Sequence, residues 1–252
     1  MTASPTHLVL IPSYNTGARL IETVREATTQ WSSVWVVIDG STDGSERLLH
    51  DQAARFPGLR VLVLDHNRGK GAAILHGLKL AAVSGFTHVL TMDADGQHPP
   101  GHIGRFMAAS RADPAAMILG RPVFDAHAPQ LRVQGRRISN WWANFETPGC
   151  MIGDSLFGFR VYPIADLVAV MHTTRWMRRF DFEPEAAVRL CWRGVRCINL
   201  PAPVRYLRAD EGGISHFHYG RDNLLLAWMH VRLVRGALLR VMRRRLRDSE
   251  TH

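Results

Sequence analysis

The stretch best suited to chemistry is Leu90 to Pro100, LTMDADGQHPP, where Asp93 and Asp95 follow an apolar run. The run Thr87 to Met92 predicts a buried strand, and because side chains alternate along a strand, the two carboxylates are expected to point the same way. Two neighbouring carboxylates repel unless a cation lies between them, and oxygen ligands suit Mg²⁺ or Mn²⁺, which often share a substrate's phosphates. The pattern therefore predicts a divalent metal, with Gln97 as a further oxygen ligand, and a diphosphate leaving group.

The same residues also fit a turn that uses Asp and Gly for backbone geometry alone, so the surrounding elements must decide. Three earlier apolar runs, Leu8 to Ile11, Val34 to Ile38 and Leu59 to Leu64, are each followed by a helical pattern. Repeated strand-then-helix units predict an α/β fold, a mostly parallel sheet flanked by helices with its ligands at the carboxyl ends of the strands. Every motif up to residue 100 lies at such an end.

The regularity is weaker after residue 100. We predict strands at Ala115 to Leu119, Leu156 to Val161 and Val195 to Leu200, and helices at Gln134 to Glu146 and Pro184 to Trp192. This half is expected to contact the second substrate.

Composition indicates a globular protein with a real core, because 46% of the 252 residues are hydrophobic. The three cysteines, Cys150, Cys191 and Cys197, are odd in number and lack metal-type spacing, which predicts a reducing compartment and no disulfide. No signal peptide and no apolar run of the roughly 18 residues that span a bilayer are expected.

The net charge of +9 is concentrated near the C-terminus. Between Arg221 and Arg247 there are eight Arg and one Asp, a balance of +7. The pattern over Leu224 to Leu246 fits a basic amphipathic helix on an anionic membrane, or equally a helix docked on the core with a solvated Arg face. Nucleic acid is the weakest alternative because no recognised motif accompanies the charge, and we expect no nucleic-acid partner.

Taken together, the motifs resemble family 2 glycosyltransferases of the GT-A fold, the Rossmann-like fold of nucleotide-diphospho-sugar transferases. The matching segments are IPSYN, VIDGSTDGS, HNRGKGAAILHGLKLA, MDADGQHPP, DSLFGFRVYP and FDFEPE. The DADGQH and GFR segments are most similar to polyprenyl- and dolichyl-phosphate glycosyl synthases, and the C-terminal half is similar to small bacterial transferases of aryl-polyene-type lipid clusters. The resemblance implies a transferase domain at 1–210, with a nucleotide-sugar half at 1–100 and an acceptor half at 101–210, followed by the loop and basic helix of 211–252.

The resemblance implies roles for individual residues. It places the donor on Pro12, Tyr14, Asn15, Asp39, Lys70, Asp93 and Ala94, and Mg²⁺ or Mn²⁺ on Asp93, Asp95 and Gln97. The alternative for Asp39 is a structural role, in which its side chain accepts hydrogen bonds from the backbone of an Asx-turn. Two departures, Thr16 where the family often has Glu and Ile38 before Asp39 where it often has a second Asp, leave a UDP-linked or a GDP-linked donor open.

The acceptor is expected to meet a second acidic cluster, Asp181, Glu183 and Glu185. One of these carboxylates is predicted to take the acceptor's proton, with Glu185 ranked first because the motif ends on it; the alternative is charge at a helix start. For a phosphate acceptor no strong base is needed, and the predicted acceptor-binding residues are Arg121, Arg136, Arg137, Ser155 and Arg160. His216 and His218 are candidates for completing the metal shell or for lining a loop.

These observations predict a metal-dependent inverting glycosyltransferase at the inner face of the cell membrane. It would move a sugar from a nucleotide-sugar to a lipid-linked or amphiphilic acceptor such as polyprenyl phosphate. The alternative is a non-catalytic module of the same fold that binds a nucleotide-sugar or a lipid.

Overall fold

A computed structural model describes residues 4–56, 58–124, 130–205 and 219–250. The first half alternates strands and helices: β1 (His7–Ser13), α1 (Ala18–Gln30), β2 (Val34–Asp39), α2 (Ser45–Ala53), β3 (Leu59–Leu64), α3 (Lys70–Val83), β4 (His88–Thr91), a 3₁₀ turn (Pro100–His102) and α4 (Ile103–Ala112). The second half contains β5 (Ala116–Phe124), α5 (Gln130–Glu146), β6 (Arg160–Pro163), α6 (Ile164–His172), α7 (Phe182–Trp192), β7 (Arg196–Val204) and α8 (Tyr219–Glu250).

The strands form one seven-stranded sheet in the order β3-β2-β1-β4-β6-β5-β7. β1 pairs in parallel with both β2 and β4, and β2 pairs in parallel with β3. β6 is antiparallel to both of its neighbours, β4 and β5. The predicted mostly parallel α/β sheet flanked by helices is therefore confirmed, and its first half places the ends of β1, β2 and β4 side by side.

The central strands are apolar because both faces of the sheet are covered by helices. Every residue of β1 and β2 is buried. Gly77 lets α3 approach the sheet closely, since an added Cβ would lie 2.7 Å from Leu10 Cδ1 and 3.2 Å from Val37 Cγ2. This close packing holds the middle of α3 against β1 and β2.

Element boundaries differ from the expectations in places that matter for the site. β4 ends at Thr91, so Asp93 and Asp95 lie in the turn that follows and strand alternation does not set their directions. β5 extends to Phe124, and β6 begins only at Arg160 because residues 156–159 are not in strand geometry. α4 and α6 were not anticipated.

The cysteines contradict the expectation of a chain without a disulfide. Cys150, in the loop after α5, is bonded to Cys191 of α7. The Sγ of Cys197, on β7, lies 2.8 Å from that of Cys150 and 3.4 Å from that of Cys191. Spacing along the chain could not show this, because packing of the loop after α5 on α7 and β7 brings the three residues together.

The C-terminal helix α8 is docked on the domain along one face. Met229 and Leu233 are completely buried in the core, while Leu224, Trp228 and Val231 on another face are at least half exposed. Among the described residues, no helix combines the length and hydropathy needed to span a bilayer.

Candidate active site

A cleft with a volume of about 1260 Å³ opens at the carboxyl ends of β1, β2 and β4. Ligands of open α/β sheets bind at this edge, where strand ends and helix starts leave backbone groups and side chains facing outward. The residues that line the strand-end side are Pro12, Ser13, Tyr14, Thr16, Asp39, Asn67, Gly69, Lys70, Asp93, Ala94, Asp95 and Gln97. The opposite wall is formed mainly by α5 and α8. After the expectations from the sequence, we label the strand-end wall the donor side and the helical wall the acceptor side.

Asp39, at the end of β2, holds the loop that begins α3. Its Oδ1 accepts from the Arg68 amide at 2.8 Å and its Oδ2 from the Gly69 amide at 2.7 Å. Gly69 has φ +97°, and an added Cβ would lie 2.3 Å from the Arg178 carbonyl oxygen, so a side chain there is excluded by both strain and space. Asp39 thus supports the loop geometry while it also faces the cleft.

Lys70 is the cation of the donor side. Its Nζ lies 2.5 Å from Asp93 Oδ1 and also forms an ion pair with Glu183 Oε1. Burial opposes the ammonium charge, but the neighbouring Asp93 and Glu183 outweigh it and raise the pKa of Lys70 above its ordinary value. Gly158 leaves room for this cluster, because an added Cβ would lie 3.1 Å from Lys70 Nζ.

Asp93 and Asp95 differ in their protonation equilibria. Burial tends to raise the pKa of Asp93, but Lys70 overrides it and the net pKa is lowered. For Asp95, burial and the negative charge of Asp93 outweigh the opposing effects of the Gln97 amide and Lys70 and raise its pKa to about 7. A divalent cation would relieve this repulsion, so the donor set fits a hard, oxygen-preferring metal.

His98 supports Asp93 from behind. Its Nδ1 accepts from the Asp93 amide at 2.9 Å, which leaves its Nε2, 3.5 Å from Asp93 Oδ2, to carry the proton. Burial lowers the pKa of His98 to about 4 against the opposing effect of Asp93. A neutral imidazole therefore positions the carboxylate without adding charge, a role that the sequence motif did not suggest.

The acidic cluster divides into three different environments. Glu183 lines the cleft and contacts Lys70. Glu185 is completely buried and faces α8, from which Arg232 Nη2 lies 2.9 Å from Oε2. Arg189, one turn along α7 itself, places its Nε 2.7 Å from Oε1. Asp181 accepts from the amides of residues 177 and 179 and closes the turn before α7. Of the three, only Glu183 reaches the cleft.

The predicted acceptor-binding residues are also spread over distinct places. Arg160 is completely buried and donates to the carbonyl oxygen of Glu183 at 2.7 Å, so it supports the backbone of the cluster rather than the cleft surface. Arg136 lines the cleft and pairs with Asp154 at 2.8 Å. Ser155 is buried beneath the cleft wall.

Arg121 and Arg137 do not line the cleft. Arg121 is exposed on β5, and Arg137 borders a separate surface pocket of about 480 Å³ beside Trp141 and Phe145. Asn15 lies outside the lining as well, where its Oδ1 accepts from the Thr42 amide at 2.8 Å. His216 and His218 lie outside the described residues.

The acceptor side is a mixed wall that short motifs did not reveal. Its apolar members are Ile138, Trp142, Leu156, Leu226, Ala227, Val231 and Val234, and its polar members include Ser139, His230, Arg179 and Arg221. Helical periodicity indicated α5 and α8, but which helix faces meet across the cleft depends on how the helices pack. An amphiphilic molecule fits a wall of this composition.

Comparison with known proteins agrees with this geometry. The chain is 29% identical over 209 residues to the undecaprenyl-phosphate mannosyltransferase of Micrococcus luteus, covering 77% of this chain and 81% of that protein. It is 32% identical over 170 residues to the polyprenol monophosphomannose synthase of Mycolicibacterium smegmatis, covering 64% of this chain and 63%, less than two thirds, of that protein.

A solved structure shares the fold. Glucosyl-3-phosphoglycerate synthase from Mycobacterium tuberculosis, crystallised with Mn²⁺, UDP-glucose and phosphoglyceric acid, superposes with a TM-score of 0.60 at 16% identity, covering 94% of this chain and 79% of that one. Residues 8–181 match the family model described as glycosyl transferase family 2. The strand-end cleft, the acidic turn after β4 and this match agree, and the chain belongs to glycosyl transferase family 2.

Proposed function

We propose that this protein is a metal-dependent, inverting glycosyltransferase that moves a sugar from a UDP- or GDP-linked donor to a lipid-linked or amphiphilic acceptor, such as polyprenyl phosphate. The observation that carries the proposal is the pair Asp93 and Asp95 beside Lys70, in a cleft at the carboxyl ends of β1, β2 and β4, the edge where α/β sheets bind their ligands. The similarity to transferases named for undecaprenyl phosphate and polyprenol supports the acceptor class.

On the donor side, Tyr14 and Asp39 line the cleft, and they would hold the nucleoside by stacking and by hydrogen bonding respectively. Asp93 and Asp95, with Gln97, would hold Mg²⁺ or Mn²⁺, which neutralises charge on a departing diphosphate. Lys70 adds a fixed positive charge at the start of α3, where the helix dipole also favours an anion.

Glu183 lies between the donor cluster and the acceptor side. Its ion pair with Lys70 and its backbone contact with buried Arg160 hold it in place. We propose that Glu183 orients the attacking oxygen of the acceptor. Glu185, ranked first from the sequence, is unsuited to this role because its carboxylate is bonded to Arg189 and Arg232. Attack on the face opposite the diphosphate inverts the anomeric configuration.

The membrane part of the proposal concerns two exposed apolar stripes. Ile138, Trp141 and Phe145 on α5 and Leu224, Trp228 and Val231 on α8 are all at least half exposed. They lie on the helices that form the acceptor side, and the sequence continues into the Arg243-Arg244-Arg245 run. Apolar residues beside clustered arginines suit an anionic bilayer surface, here the inner face of the cell membrane.

The test is transfer by the purified protein from UDP- and GDP-sugars to polyprenyl phosphate in vesicles, with Mn²⁺, Mg²⁺ or EDTA. We expect a glycosylated lipid of inverted configuration only when the metal is present. Asp95→Asn is the matched control because it keeps the shape of the side chain and removes its charge. Donor binding without donor consumption under any of these conditions would instead support the non-catalytic module.

A further inference from the structure

A buried polar relay crosses the acceptor side of the cleft and has no part in the roles assigned above. His230 of α8 is 8% exposed and lies in the cleft wall. Its Nδ1 is 2.8 Å from Oε1 of Glu146, the last residue of α5. Its Nε2 is 3.4 Å from the Oγ of Ser139, which also lines the cleft.

This geometry determines how the imidazole is protonated. Because a carboxylate only accepts hydrogen bonds, the Nδ1 of His230 carries a proton and donates it to Glu146. In the neutral ring, Nε2 is therefore the unprotonated nitrogen, and its lone pair faces Ser139, which also lines the cleft. The contact with Ser139 is long for a hydrogen bond, so an oxygen of a bound molecule is able to replace or bridge it.

Glu146 is poorly explained as a structural residue. It is 1% exposed, and its Oε2 has no hydrogen-bond partner among the described residues. Burial raises its pKa, against the opposing effect of His230. A buried carboxylate oxygen without a hydrogen bond destabilises the folded protein. If His230 becomes positively charged during a reaction, the negative charge of Glu146 stabilises that imidazolium.

The remaining contacts keep the relay rigid. Ser155 donates from its hydroxyl to Ser139 Oγ at 2.9 Å, and the ring of Trp142 stacks on His230 with centroids 6.0 Å apart. The predicted acceptor-binding residue Ser155 is thus connected to the cleft through Ser139. Two helices and one loop contribute, so the relay forms only when α8 is docked.

We propose that His230 accepts the proton of the acceptor's attacking oxygen, with Glu146 as a positioning residue that fixes the tautomer and balances the imidazolium. This proposal rests on the proposed glycosyl transfer. The acceptor oxygen forms its bond to the anomeric carbon, the bond from that carbon to the nucleoside diphosphate breaks, and the proton moves to His230 Nε2. The chemistry applies to an alcohol and to a singly ionised phosphate monoester.

The decisive variant is His230→Asn, because the Asn amide is able to replace Nδ1 as donor to Glu146 but has no basic nitrogen. His230→Gln is its matched control, placing the amide near the Nε2 position and leaving Glu146 unpaired. Both are compared with the wild type on a polyprenyl alcohol and a polyprenyl phosphate at pH 8, where a phosphate monoester is mostly fully ionised because its second pKa is about 6.

We expect His230→Asn to lower kcat on the alcohol by about 10²- to 10⁴-fold and on the phosphate by about tenfold or less, with the donor KM and the unfolding temperature unchanged. Added imidazole should restore part of the activity of His230→Ala. A kcat for His230→Asn within threefold of wild type on the alcohol overturns the proposal. For a wild type that uses only the phosphate, the same result at pH 6, where about half of the monoester still carries a proton, overturns it.

Glu146→Gln gives a second measurement if the His230 variants unfold. It keeps a hydrogen-bond acceptor for Nδ1 and removes the charge, so kcat should fall by roughly tenfold while the donor KM is unchanged. Wild-type kcat in this variant overturns the role of Glu146. Failure of the proposed function would look different from failure of the role of His230. In that case the wild-type protein itself would show no metal-dependent transfer.

Discussion

The two walls of the cleft are built in different ways. The donor side consists of turns that follow β1, β2 and β4, and its charged groups lie close in sequence to short motifs. The acceptor side consists of helix faces from α5 and α8, which are about eighty residues apart in the sequence. The two helices share the polar relay, and each carries an exposed apolar stripe. Local backbone geometry therefore determines where the functional side chains lie on the donor side. On the acceptor side, their positions depend on how α8 docks against α5.

The largest effect is expected on the donor side. Asp93→Ala or Asp95→Ala should reduce metal-dependent transfer by at least about 10²-fold, because an electrostatic contact to the departing diphosphate is lost. Metal-dependent donor binding, measured by calorimetry, should be lost as well, while the unfolding temperature should change little. Unchanged donor affinity in both variants would contradict the proposal that Asp93 and Asp95 bind the metal.

The second prediction separates two neighbouring glutamates. Glu183→Gln should lower kcat by roughly 10²-fold with nearly unchanged donor affinity, since its contacts matter mainly in the transition state. Glu185→Gln should instead lower the free energy of unfolding by up to about 3–5 kcal/mol, because Arg232 and Arg189 lose a buried partner.

Chemical denaturation and turnover measurements on both variants test this prediction. The control is the double variant Glu185→Leu and Arg232→Met, which replaces both members of the ion pair with apolar side chains. Removing both partners should be less damaging than removing Glu185 alone. A Glu183→Gln variant with wild-type turnover would return this residue to the role of a helix-start charge.

The third prediction concerns the membrane. Replacing Arg243, Arg244 and Arg245 with Gln should weaken binding to anionic liposomes by about 10²-fold, at roughly 1 kcal/mol per arginine, and added salt should weaken wild-type binding. Transfer to a short soluble acceptor should be retained. Binding that responds neither to salt nor to the triple substitution contradicts the membrane proposal.

The smallest effect is expected at the amino end of the sheet, which the cleft does not reach. His7 stacks on His88 with ring centroids 4.6 Å apart, and burial, followed by the charges of His88 and Arg111, lowers its pKa to about 4. The unfolded chain therefore binds this proton more readily between about pH 6.5 and pH 4, so stability should fall as the pH falls through that window.

His7→Gln should reduce the loss of unfolding free energy between about pH 6.5 and pH 4 by no more than about 3 kcal/mol. His172→Gln, at an exposed position, is the matched control. Denaturation curves at several pH values measure the difference. Equal pH dependence in the His7 variant and the wild type would contradict the assignment.

Much of the donor side could be predicted from local sequence. Alternating strands and helices predicted the parallel half of the sheet, and the turn DADGQH predicted a carboxylate pair in the cleft. These features succeed because strand burial and turn chemistry depend on neighbouring residues. The direction of Asp93 and Asp95 was predicted for the wrong reason, since β4 ends before them.

The acceptor side was decided by tertiary structure. The FDFEPE segment contains Glu183 and Glu185 two residues apart, yet only packing against α8 sends one to the cleft and the other to Arg232. The relay from Ser139 through His230 to Glu146 and the pairing of Cys150 with Cys191 likewise join residues far apart in the chain. The sequence by itself determined the sheet and the acidic turn, because those depend on local pattern; which helix faces meet across the cleft depends on long-range packing, which no local pattern contains.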